Sequence, residues 1–259
     1  MIKLDFSFMK NWKNLSSIES NAIKTLQKGV KIILKNIPKE SIVSIYLAGS
    51  FPRREMNKKS DVDTYTIVND SKYLENLQQL DKKYHNTMTP NFGFSGYSIE
   101  ELKTGKLSEK GKKMRPGTAR FVRMLPTYAL IYGKEPDLSS FYQKTDLEHL
   151  TRMIKTFDDI FFPYYEQGKI GFQDLLKQAL WLFELEIAVK NNNFRFESWG
   201  NLISYFDNKH LIHKVMELRD AYVKDEKIKI EFVKKLKEYI KRLKRRYKPL
   251  IIPTKKKSL

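Results

Sequence analysis

Every stretch of this chain that favours a β-strand ends by residue 132. Residues 42–47, 61–68, 92–97 and 128–132 are short runs rich in β-branched and aromatic side chains, bounded by Gly, Pro, Asn or Asp. Beyond residue 146 the strand signals stop, and apolar residues recur at helical spacing through 146–165, 172–190, 197–206, 211–223 and 230–247. This asymmetry divides the chain into an α/β half, residues 1–140, and an all-α half, residues 146–259, joined near 135–147. In the first half the spacing also predicts helices over 16–37, 71–84 and, after a capping-box pattern at Ser98 and Glu101, a short one from residue 98. A further short helix is expected over 51–55, with Pro52 in its first turn. Residues 103–117, rich in Lys and Gly, read as a loop.

The stretch YLAGSFPRREMNKKSDVDTYTIV, residues 46–68, carries the chemistry. Residues i and i+2 of a strand project to one face, so Asp61 and Asp63 point together and leave Val62 to the core with Ile67. Two adjacent carboxylates repel, and a cation between them relieves the cost. Mg²⁺, or Mn²⁺ in its place, is a hard cation that takes such oxygen ligands together with triphosphate. Gly49 lets the backbone approach closely, Ser50 opens a turn suited to phosphate, and Arg53 and Arg54 are permanently charged phosphate donors.

Gly-Ser, an arginine three residues on, and Ser-Asp-X-Asp opening the next strand together resemble the polymerase-β-type nucleotidyltransferase superfamily. Its small two-domain members, such as aminoglycoside nucleotidyltransferases, are the most similar. The matching residues are Gly49, Ser50, Arg53, Ser60, Asp61 and Asp63, and the resemblance covers about residues 40–135. It implies a nucleotidyltransferase domain with a small mixed sheet, followed by a helical bundle domain with a basic C-terminal tail. It implies Mg²⁺ on Asp61 and Asp63, an NTP (ATP first) gripped by Ser50 and Arg53, and transfer of its NMP to a hydroxyl with release of pyrophosphate. In related two-domain enzymes the helical half contributes a lysine and an acidic base; Lys177 and Glu184, seven apart on one helix, are the candidates, with Glu186 a lesser one. The family usually adds a third acid from the next strand, yet residues 90–99 contain no Asp or Glu. Either that strand lies elsewhere, or Glu100 or Glu101 reaches in, or the site works with two acids and a base from elsewhere.

The net charge of +19 favours polyanionic partners. Residues 234–259 hold twelve Lys or Arg and one acid, Glu238. The acceptor is expected to be either a small polyhydroxylated molecule or a macromolecule such as tRNA or a protein side chain. A catalytically decayed nucleotide- or RNA-binding protein on the same scaffold is the alternative. No apolar run approaches the length of a membrane span; cysteine is absent, which leaves the compartment open, and with no signal-peptide pattern at the start a cytoplasmic protein is expected. His85, His149, His210 and His213 lack the spacing of a zinc site.

Overall fold

Ser16 begins the first helix as its sequence predicts. Its hydroxyl accepts from the Glu19 N–H, and the Glu19 carboxylate accepts from the Ser16 N–H in return. Helix α1, Ser17–Asn36, stops before Pro38 and buries Ala22, Leu26, Val30 and Ile33 completely. Each of the three larger side chains contributes about 1.5–3 kcal/mol by leaving water. The computed structural model that shows this describes residues 4–109 and 115–251, with the side chains of 248–251 excepted. The middle of the 103–117 loop and the end of the basic tail therefore lie outside the described residues.

Among the described residues the strands are β1 (Ile42–Ala48), β2 (Val62–Val68), β3 (Phe92–Ser98) and β4 (Ala129–Gly133). They form one mixed sheet of order β3-β2-β1-β4, with β1 antiparallel to both β2 and β4 and β2 parallel to β3. The parallel pair needs a crossover, which helix α2 (Tyr73–Tyr84) supplies. Both faces of the sheet are covered. On one, Ile45, Leu47, Val62 and Val68 pack with residues of α1 and α2. On the other, Tyr46, Ile67 and Tyr97 pack with Leu102 of α3 (Ile99–Thr104) and Phe121 of α4 (Thr118–Met124).

This corrects two expectations. Ile67 does not share a face with Val62; strand parity puts it on the side of Asp63, where a second aromatic core receives it. Residues 51–55 form a turn rather than a helix, closed by Arg54 N–H to Phe51 O and Glu55 N–H to Ser50 O. Arg54 adopts φ +57°, which ends any right-handed winding there. Phe51 anchors the turn, fully buried with Phe8 and Trp12 edge-on to its ring. The chain divides into two compact units, Met1–Lys144 and Thr145–Leu259.

The described elements of the second unit are helical: α5 (Asp146–Thr156), a π-helical turn (Phe157–Phe161), α6 (Phe162–Glu166), α7 (Phe172–Lys190), α8 (Trp199–Ile203), α9 (Leu211–Asp220) and α10 (Glu226–Ile251). The π turn interrupts the single helix expected over 146–165. It sits just before Pro163, whose missing N–H forces a change in the hydrogen-bond ladder.

Candidate active site

The edge where β1 ends and β2 and β3 begin gathers the singled-out residues of the first unit. Ala48 is the register partner of Asp63 on one side, and Gly93 is its partner on the other. Gly49 turns the chain with φ +78°. A β-carbon there would stand 2.5 Å from Asp63 Oδ2, whereas one at Gly93 would stand 3.6 Å from Oδ1. Two glycines thus flank the exposed Asp63 carboxylate, and the positive φ at 49 favours glycine there. Asp61, half-buried, lies just ahead of the strand. Ser60 shapes the approach to it: its hydroxyl accepts from the Asn57 N–H and its own N–H donates to Asn57 O.

The two arginines have separate duties. Arg53 is half-buried, and its Nε donates to Glu55 at 2.8 Å, within the turn that Ser50 opens. Arg54 instead ties the turn to the start of α1. Its Nε and Nη2 donate to the two oxygens of Glu19 at 2.8 and 3.3 Å, and the guanidinium lies 5.0 Å over the Trp12 ring. That hydrogen bond holds the Glu19 carboxyl at about 2, well under its ordinary 4.5. Both arginines are thus engaged by carboxylates of the fold, Arg53 within its own turn and Arg54 across to α1.

Sequence reasoning passed over three neighbours. Tyr65 follows Asp63 by two residues on the same face, and its ring stacks on Tyr128 with centroids 5.7 Å apart and planes at 16°. Burial pushes both hydroxyls up, Tyr128 to about 12, and the negative charge of Asp63 adds to this while Arg120 of α4 opposes it. Arg53 also lowers Tyr128, which places both arginines within electrostatic reach of one ring. The i, i+2 relation to Asp63 was the available signal for Tyr65; Arg120 and Tyr128 had none, because only the tertiary fold brings them there.

The strand expected to carry a third acid is in place, and its residue beside Asp63 is Gly93. Neither proposed substitute reaches in. Glu100 and Glu101 follow the far end of β3, roughly 20 Å along the strand from Gly93. Glu101 is in addition buried against Arg115, 2.5 Å away, and caps α3. Among the described residues no group of three or more His, Asp or Glu is arranged to hold a metal. The pair Asp61 and Asp63 falls below that number.

On α7, Lys177 is exposed and Glu184 is 2 % exposed, so the two do not share an environment despite their spacing. Glu186 is committed to structure: Lys190 at 2.7 Å, Arg246 at 3.1 Å and the Tyr239 hydroxyl all donate to it. No family model matches the chain, and no curated protein matches it in sequence. Among the described residues no helix is long and apolar enough to cross a membrane.

Proposed function

We propose that the chain is a nucleotidyltransferase that moves a nucleoside monophosphate, AMP from ATP in the first instance, onto a hydroxyl of a small polyhydroxylated molecule or an RNA. The observation that carries this reading is the exposed Asp63 carboxylate, set between Gly49 and Gly93, with Asp61 ahead of it and Arg53 in the adjoining turn. In the transfer the acceptor oxygen bonds to the α-phosphorus, and the bond from that phosphorus to the pyrophosphate oxygen breaks. Asp61 and Asp63 would hold Mg²⁺, which supplies charge neutralisation for the phosphates and acidifies the acceptor hydroxyl. Arg53 exchanges Glu55 for a phosphate oxygen, and the Gly49–Ser50 turn leaves room for the triphosphate beside Asp63. The helical unit is read as a bundle domain.

The test is labelled ATP with Mg²⁺, following pyrophosphate release and ATP affinity with and without RNA and aminocyclitol acceptors. Asp63→Asn should abolish release and the metal-dependent part of ATP affinity while the circular dichroism spectrum is unchanged. Arg53→Ala should weaken ATP about ten- to a hundredfold, the worth of a charge-assisted contact of roughly 1.5–3 kcal/mol, and Arg54→Ala should leave that affinity intact. Turnover persisting in excess chelator refutes the reading. Gly93 beside Asp63 favours a second one, a nucleotide- or RNA-binding protein that no longer transfers. Its signature is Asp63-dependent, Mg²⁺-dependent ATP binding without pyrophosphate release under any acceptor.

A further inference from the structure

The cations of α10 sort into two classes. Five are paired within the second unit: Lys229 with Glu226, Lys235 with Glu231, Lys237 with Glu166, Lys244 with Asp158 and Arg246 with Glu186. Lys227, Lys234, Lys241 and Arg245 are exposed, and among the described residues none has a carboxylate partner. At 3.6 residues per turn these four fall within about 40° of one another around the helix. They lie directly opposite Phe232, Leu236, Ile240 and Leu243, which are at most 2 % exposed. The stripe runs about 27 Å along the axis at 1.5 Å per residue. One side of it borders a pocket of about 720 Å³ between α10 and the start of α9, lined by Lys209, Arg242, His210 and Tyr239 together with the acids Asp207 and Glu238. Arg242 lies 5.6 Å over the Tyr239 ring rather than on a carboxylate. Glu238 also shares the face of the stripe and is its one acid not engaged by a neighbouring lysine.

We infer that this outward stripe of α10 is a docking surface for the phosphodiester backbone of a nucleic acid, RNA first. The fold neutralises the paired cations internally and leaves a straight row of others facing water, spanning about eight phosphates at 3.4 Å per nucleotide of one duplex strand. An anionic membrane is the poorer match, since the apolar face of α10 is spent on the core and little is left to insert. The inference goes beyond the transferase reading and does not rest on it, because binding alone reads it out and the residues of the proposed active site are untouched.

The experiment measures binding of the full chain to labelled tRNA and to an unstructured RNA strand over a series of KCl concentrations. Replacing Lys227, Lys234, Lys241 and Arg245 with Gln should lower the slope of log affinity against log salt by about three units, at roughly 0.7 per contact on a single strand. Replacing Lys229, Lys235, Lys237 and Lys244 with Gln removes the same net charge and should change the slope by less than about one unit. Circular dichroism establishes that both variants fold. Absence of RNA binding by the wild type at low salt overturns the inference. So does an equal loss of slope in the two variants, which would reduce the effect to overall charge, or equally tight binding to phosphatidylserine–phosphatidylcholine vesicles.

Discussion

Asp63 owes its surroundings to its neighbours' lack of side chains. Gly49 is needed for its positive φ, and a β-carbon there would push Asp63 Oδ2 aside. Gly49→Ala should therefore cost about 1–2 kcal/mol in backbone strain alone and displace the carboxylate. Gly93 differs, since a β-carbon there meets Asp63 Oδ1 at an ordinary 3.6 Å. That makes Gly93→Asp a constructive test. It places a third carboxylate beside Asp63, and Mn²⁺ binding followed by calorimetry should tighten, with the apo protein slightly less stable from the added repulsion. Unchanged Mn²⁺ affinity would mean that the Asp61–Asp63 edge is not a metal site. The residue-scale lesson is that Asp-X-Asp was legible as a pattern, whereas what stood opposite it depended on strand register.

At the scale of elements, α9 is held by an unusual cap. His210 Nδ1 accepts from the Ile212 N–H at 3.1 Å, so the ring's proton sits on Nε2, which donates to the Tyr239 hydroxyl at 2.8 Å. That hydroxyl in turn donates to Glu186 of α7. The chain links α9, α10 and α7, and a charged imidazole would forfeit the cap. Burial accordingly lowers His210 from 6.5 to about 4, against the pull of Glu186. The unfolded chain then binds the extra proton more readily than the folded one between pH 4 and 6.5. The resulting stabilisation is complete above pH 6.5 and is lost progressively as pH falls towards 4. His210→Asn keeps a capping side chain without a titrating group. Thermal unfolding across this window should be flatter in that variant than in the wild type; equal pH dependence would assign the effect elsewhere. The capping box of α3 was visible as a sequence pattern. A histidine cap was not, because the Tyr239 hydroxyl that holds the ring in the capping tautomer lies 29 residues away along the chain.

For the whole molecule, the two compact units pose the question of where the site's chemistry resides. If Asp61, Asp63, Gly49, Ser50 and Arg53 suffice to bind nucleotide, residues 1–144 expressed alone should retain Mg²⁺-dependent ATP affinity within about tenfold and lose only turnover. Loss of folding, followed by circular dichroism, or of all affinity would show that these five residues do not suffice. The sequence by itself determined the class of each half, the four strands, the long helices and the constellation at residues 49–63. Those are set by local periodicity, by caps and by the cost of carboxylates at a strand start, all of which act over a few residues. Tertiary structure alone decided the rest. Strand order and parity moved Ile67 to the second core and set Gly93 beside Asp63. Long-range pairing drew Arg54 to Glu19, Arg115 to Glu101 and Glu186 into the α7–α10 contact, and it sorted the lysines of α10 into paired and outward sets. The physical reason is common to all of these: a charged side chain takes the partner that the fold brings within about 4 Å, and sequence distance says nothing about which one that is.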